Sequence, residues 1–470
     1  MSQIREIQWL EDAARADPVT PIPPGLAIPR RVNLYRIPWL RALLDSRWPQ
    51  FLIRSQTLAG FIFIIAAGLF GSRVGSHNFA IIFVWIAWWS ALKLAFIPFG
   101  GRTWCSVCPI PLPGEWLQQG GILSRGKGMG LSRRWPKRLK GSWLQSGAFL
   151  LIGLFSALTL TDPRVTGWVL LGLFGLAIGL SLVFEHRAFC SYICPIGGFS
   201  GMYAQTSPLE LRVIDAEICA RHSEKSCYQA CPWGLYPVAF RDSAACGLCM
   251  ECLRLCPKDN LALNLRPFGT DIGKPKTSNR LDEAFLALVM LGSALAFAAV
   301  FVGQWGWLKS AAFAVGSLPW LGYVAGFLTL NLLVLPGLFI LAVWMGKKFT
   351  GKQIYLRREI ASQAQALLPL GLMAWIAFTV SFALPKLGFV LGVVNDPFGW
   401  GWHLLGTASI ASMPDVSGFS AVLQVCLLVV GLFWSGNVLR RLSGSDFRRV
   451  APVLAFCLLF SLSMLWMLVG

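Results

Sequence analysis

About nine stretches of this 470-residue chain are long and apolar enough to cross a bilayer, which sets the fold class before any motif is read. A crossing helix needs about 20 apolar residues, because in hydrocarbon a helix satisfies its own backbone hydrogen bonds. The stretches fall near 57–72, 79–99, 144–161, 166–184, 284–303, 320–345, 366–385, 417–438 and 450–469. Residues 311–345 also read as a half-helix followed by a full one. Only 13% of residues are charged, about half the share of a soluble domain. The 21 Trp and 32 Phe suit interfaces and helix contacts in a membrane.

The formal net charge is +19. In a soluble protein that excess would point to nucleic acid. Here it sits between the apolar stretches, as the positive-inside rule requires, so nucleic acid is not an expected partner and membrane lipid is. The loop 100–142 holds Arg102, Arg125, Lys127, Arg133, Arg134, Lys137, Arg138 and Lys140. Residues 347–358 hold Lys347, Lys348, Lys352, Arg357 and Arg358, and 440–449 hold Arg440, Arg441, Arg448 and Arg449. Nine spans with a cytoplasmic N-terminus put all three on one side, together with the cysteine-rich insert 186–282. The expected location is a bacterial inner membrane, with the insert in the cytoplasm and the C-terminus in the periplasm. Residues 1–17 mix charges without the apolar core of a signal peptide. The run PVTPIPPGLAIPRR that follows reads as an extended arm. The expected divisions are an arm (1–50), a first membrane domain (51–200), a cytoplasmic cluster-binding domain (201–282) and a second membrane domain of about five helices (283–470).

Eleven of the 13 cysteines lie between Cys105 and Cys256. Their CxxC, CxxxC and CP spacings, on a side where thiols stay reduced, point to metal or cluster ligation rather than disulfides. The strongest run is Cys246-x2-Cys249-x2-Cys252-x3-Cys256-Pro257. In such a run three thiolates hold one cubane and the fourth reaches a second cluster. The partner run is Cys219-x7-Cys227-x3-Cys231-Pro232. By the same crossing, Cys231 completes a [4Fe–4S] site with Cys246, Cys249 and Cys252. Cys219, Cys227 and Cys256 are left for a second cluster that lacks a fourth cysteine. Three thiolates suit [3Fe–4S], or His222 supplies the fourth ligand of a [4Fe–4S] cluster, or water does. An α+β two-cluster unit inserted in a polytopic helical membrane protein is the expected fold.

The first membrane domain contains an internal repeat. One copy, 58–110, ends in GGRTWCSVCPI and the other, 148–196, ends in EHRAFCSYICPI. Two copies in the same orientation imply a pseudo-two-fold axis along the membrane normal. That axis brings Cys105 and Cys108 level with Cys190 and Cys194. Helical spacing puts the two thiols of each pair on one face. Four thiols together are a ligand set for a third iron–sulfur cluster, for copper or zinc, or for a redox dithiol pair. Arg102 and Arg187 precede the pairs by three residues and either offset cluster charge or anchor the interface. On the opposite side, Arg73 and His77 face Asp162 and Arg164 across the repeat. They are a candidate quinone or partner site, with interfacial anchoring as the alternative. Lys93 inside the second stretch reads as a snorkelling side chain. The Trp- and Gly-rich segment 386–415, with His403, is apolar for a loop and suits a partner subunit.

This order of motifs resembles the NapH/NosR-type membrane polyferredoxins, a group that includes the oxidase-assembly protein CcoG. The resemblance covers about residues 55–268. It implies a membrane electron-transfer subunit that uses the seven ferredoxin cysteines and the two membrane pairs. It implies partners that are other subunits of a redox complex, such as a cytochrome or metalloreductase. The chain departs from the pattern in its missing ferredoxin cysteine, in a CxxCP in place of CxxxCP, and in the roughly five spans after the ferredoxin unit. The expected function is a relay of electrons between the quinone pool and a partner oxidoreductase. The alternative is a redox or copper-handling assembly factor for a respiratory metalloenzyme. Nothing in the chain resembles a hydrolytic triad, a phosphate loop or a nicotinamide fold, so a complete enzyme is not expected.

Overall fold

The computed structural model describes residues 31–121, 128–275, 280–350, 355–406, 417–444 and 446–469. The arm up to residue 30, Arg125, Lys127, Lys352 and part of 386–415 lie outside the described residues. The membrane helices are α1 (Trp48–Phe70), α2 (Phe79–Gly100), the shorter α3 (Trp143–Leu154), α4 (Pro163–Val183), α5 (Asp282–Phe301), α6 (Leu318–Thr350), α7 (Leu356–Lys386), α8 (Gly418–Ser443) and α9 (Ala451–Val469). All except α3 are long and apolar enough to cross a bilayer, giving eight candidate spans among the described residues.

The stretch 144–161 is therefore not one uniform span. α3 stops at Leu154, Phe155 leaves helical geometry, and a short helix Ser156–Thr159 follows. The Thr159 and Thr161 hydroxyls donate to the Ser156 and Ala157 carbonyls, a local competition that bends helices. The broken helix still joins the two ends of the bundle. Gln145 donates to the Cys190 carbonyl at 3.3 Å, and Thr161 lies against Gly75 at the other end. Before α6 a separate short helix, Gly306–Phe313, lies mostly ahead of the stretch 311–345, which α6 itself fills from Leu318 onward. α7 starts ten residues before the apolar stretch because its first turns carry Glu359, Gln363 and Gln365, all buried. Glu359 pairs there with Arg449 in the turn before α9.

Two stretches of α2, Ile82–Trp88 and Leu92–Phe96, are π-helical, a form concentrated at functional sites. Lys93 lies in the second and does not snorkel. It is 1% exposed, with its ammonium 5.0 Å from the Trp89 ring, 5.3 Å from Trp375 and 5.5 Å from Phe378. Burial among aromatic faces takes the place of a carboxylate partner.

The insert carries two strands of a small sheet and several short helices. β2 (Leu209–Val213) pairs antiparallel with β3 (Leu261–Leu265), with Leu209 opposite Leu265 and Val213 opposite Leu261. β1 (Val32–Asn33) adds to the other edge of β3. The last third of the expected arm is thus part of this unit. Tyr35 enters its core, Arg41 pairs with Asp259 at 2.9 Å, and Arg254 donates to the Leu44 carbonyl. A two-residue strand is too short to leave an alternation in the sequence. Buried Arg266 bridges Glu210 (2.7 Å) and Asp271 (2.5 Å) beneath the sheet. The unit rests on the bundle where Gln365 of α7 bonds Gly273 and Lys274 and Gly269 meets Trp434 of α8. Lys347, Lys348, Arg357, Arg358, Arg440, Arg441, Arg448 and Arg449 occupy helix ends on this same face.

Candidate iron–sulfur centres

All thirteen cysteines are free thiols. The CGLCMEC loop owes its shape to two non-glycine residues in left-handed backbone, Leu248 (φ 49°) and Met250 (φ 63°). Alternating hand turns successive amides to one side, and such nests bind anions, Fe–S clusters included. The Leu248 and Glu251 amides serve the Cys246 and Cys249 sulfurs. Those of Leu235, Trp233 and Gly234 serve Cys231. Gly247 leaves room for Trp233, whose ring edge lies 2.1 Å from where a Cβ would stand. Burial, outweighing the amides, pushes the Cys246 thiol up to about 11 and the Cys249 thiol up to about 12. Such groups hold their protons at neutral pH and release them to a cationic centre. Burial and then the neighbouring thiols Cys249, Cys246 and Cys231 raise Cys252, which places these four thiols near one another.

Cys219, Cys227 and Cys256 form the second group. Asn260 ties it together: its backbone amide donates to Cys256 Sγ at 3.3 Å and its side chain to Cys219 Sγ at 3.4 Å. His222 follows the short helix Ala216–Arg221, and its Nδ1 is buried without a hydrogen-bond partner. Cys227 and Cys252 share one hydrophobic cluster, with Cys246 and Cys256 packed against it, so the first and second groups are neighbours.

Cys105, Cys108, Cys190 and Cys194 come together at the ferredoxin end of α1–α4, on the wall of one cavity. The repeat is visible in their backbones. Cys108 (φ −58°, ψ 129°) and Cys194 (φ −57°, ψ 117°) have the same non-helical conformation. Each precedes a proline, whose ring disfavours the helical region for the residue before it. The second thiol of each pair thus leaves the helix, and the expectation of one shared helical face does not hold. Burial pushes the thiols of Cys108 and Cys190 well up, and that of Cys194 up to about 11. Gly197 donates its amide to Cys194 Sγ at 3.3 Å.

Arg102 and Arg187 are both 4% exposed and stand between this tetrad and the ferredoxin unit. Arg102 donates to the Ala244 (2.7 Å) and Ala245 (3.2 Å) carbonyls just before Cys246. Its Nε and Nη2 are buried without partners, which suits an anionic cluster nearby. Arg187 pairs with buried Glu115, donates to the Cys105 carbonyl at 2.8 Å and stacks 4.5 Å over Trp233. Cys105 itself packs against the cluster of Cys231, Trp233 and Cys249. Glu115, Trp233 and Asn260 carry no spacing signal in the sequence. Their roles depend on contacts across the repeat and across the unit.

The donor sets fit iron–sulfur clusters. Among the described residues no three Cys, His, Asp or Glu side chains converge on a single-ion site. Arg73, His77, Asp162 and Arg164 lie exposed at the opposite end, where Asp162 caps α4 by accepting from the Arg164 (2.8 Å) and Val165 (3.3 Å) amides.

A family described as a 4Fe–4S binding domain matches residues 81–138 and 166–211. The matched segments contain the four paired cysteines of the tetrad and none of the seven in the ferredoxin runs. The chain is 28% identical over 161 residues to the methylamine utilization ferredoxin-type protein MauN of Paracoccus denitrificans, covering 30% of this chain and 52% of that protein. It is 29% identical over 106 residues to the uncharacterized protein MJ0749 of Methanocaldococcus jannaschii, covering 22% of this chain and 42% of that protein. The chain thus spans about half the length of these relatives. No solved structure matches. These matches support a ferredoxin-type, 4Fe–4S-binding protein with several apolar spans, and they do not single out the NapH/NosR-type group.

Proposed function

We propose that the chain is a membrane-bound electron-transfer subunit that relays electrons between the quinone pool and a partner oxidoreductase, in the manner of the NapH/NosR-type polyferredoxins. The observation that carries this reading is the serial contact of the three thiol groups. The Cys219 group adjoins the Cys252 group, and that group meets Cys105 of the tetrad beside a membrane cavity. Single-electron carriers in van der Waals sequence form a path, and one-electron transfer is the chemistry that iron–sulfur clusters supply. The basic helix ends beside the ferredoxin unit support a cytoplasmic location for it in an inner membrane.

In the second group, the unpartnered Nδ1 favours His222 as fourth ligand. With His222→Ala only three thiolates remain, and an oxidised-state [3Fe–4S] EPR signal is expected to grow. An unchanged spectrum would show that His222 is not a ligand and leave a three-iron cluster or a water-ligated four-iron cluster at this site.

The copper-handling alternative uses the same four thiols of the tetrad. The two readings separate on purification from native membranes. A relay subunit stays in stoichiometric complex with a cytochrome or metalloreductase, whereas an assembly factor comes away alone.

A further inference from the structure

The tetrad lies at one end of a cavity of about 670 Å³ enclosed mainly by α1, α2, α3 and α4, within the size range of pre-formed ligand sites. Its lining runs along α2 from Phe79 to Phe96, about 25 Å of helix at 1.5 Å per residue. A cluster held by four thiolates at one end cannot fill that length. The remainder is walled by aromatic and aliphatic side chains, and none of the lining residues is charged. A phospholipid or fatty-acid headgroup would need a cation or several donors there. The lining instead offers Trp88, on a π-helical stretch of α2, whose indole Nε1 is buried without a partner. Its ring lies 5.3 Å from that of Trp104, the residue before Cys105.

A long apolar cavity with one buried, unpartnered neutral donor and a tetrad of thiols at its end fits a neutral, aromatic, redox-active lipid. Building on the relay proposed above, we infer that this cavity is the quinone site. The headgroup sits against the tetrad, Trp88 Nε1–H donates to a quinone oxygen, and the isoprenoid tail runs toward Phe63 and Phe79. Oxidising one quinol there breaks two O–H bonds. Two protons would pass to water at the rim where Gln56 is exposed, and two electrons would pass singly to the iron–sulfur centre that Cys105, Cys108, Cys190 and Cys194 would hold; reduction is the reverse. The exposed groups Arg73, His77, Asp162 and Arg164 do not line the cavity. Exchange at the ferredoxin end requires no electron to cross the bilayer.

Two variants test the site in the full-length, cluster-loaded protein. Trp88→Phe removes the donor and keeps a ring. Gly60→Trp adds bulk at a lining position where a Cβ meets nothing within 4 Å. Co-purified quinone is extracted and counted per chain, with iron content as the control for folding. Cluster reduction by decylubiquinol or menadiol is then compared with reduction by dithionite. The expected result is about one quinone per wild-type chain, at least tenfold less in Gly60→Trp and severalfold less in Trp88→Phe, with dithionite reduction preserved in all three. Quinone retained equally in the variants, with quinol reduction intact, would overturn the cavity assignment and leave the relay standing. Bound phospholipid in place of quinone, with clusters that dithionite reduces and quinol does not, would overturn both.

Discussion

Cys190→Ala is expected to remove about four of about twelve irons and to disconnect the ferredoxin unit from the membrane. Cys190 is a buried member of the tetrad, and its thiol lies within the electrostatic reach of Cys194, Cys108 and Cys105. Three thiolates from two helix ends form an incomplete cage, whereas Cys231, Cys246, Cys249 and Cys252 are held by their own loop amides and do not depend on Cys190. Dithionite should therefore still reduce the two ferredoxin clusters, and quinol should not. Iron analysis with EPR, on the same anaerobic preparation, reads both effects. Iron unchanged in the variant would show that the tetrad is not a cluster site, and the paired thiols would then need another use.

Arg187→Met is expected to be the most destabilising single change at the junction. The Arg187 and Glu115 side chains are 3% and 8% exposed, and removing one partner of a buried pair costs about 3–5 kcal/mol because the other charge is stranded. Arg187 also bonds the Cys105 carbonyl and covers the Trp233 ring, so its loss opens the contact between tetrad and ferredoxin unit. Lys is not expected to rescue, because an ammonium cannot make both donations while stacking. The double variant Arg187→Met/Glu115→Leu should recover much of the lost stability, since no charge is left unpaired. Thermal unfolding in detergent, followed by loss of cluster absorbance, measures all four proteins. In Arg187→Met protein that retains its clusters, reduction potentials should fall. Reduction adds negative charge, and the cation that favoured it is gone. A double variant no more stable than Arg187→Met would show that the ion pair is not the source of the cost.

The register of the two CP pairs was legible in the sequence because spacing alone carries it, and the same spacing is the basis for expecting Cys231 to cross to Cys246, Cys249 and Cys252. Cluster-binding loops are short, and their geometry is local. Cys108 and Cys194 were legible as candidate ligands but not as breaks in the helix, although the prolines after them carry that information. β1 and the early start of α7 were hidden for opposite reasons. Val32–Asn33 is too short to alternate, and Glu359 and Gln363 look exposed until Arg449 arrives from the turn before α9 to pair with Glu359. Lys93 was read as snorkelling because the three rings around it come from two helices, α2 and α7, far apart in sequence. The cavity left no motif at all. It is an absence of side chain between elements that the sequence shows only one at a time.

The account rests on three thiol groups acting as three clusters in series. The most direct test is iron and acid-labile sulfide per chain in the anaerobic, full-length protein, with EPR of the dithionite-reduced sample. The account predicts about twelve irons and about twelve sulfides, with spectra broadened by coupling between neighbouring reduced clusters. About seven or eight irons, with spectra of the ferredoxin unit alone, would contradict it.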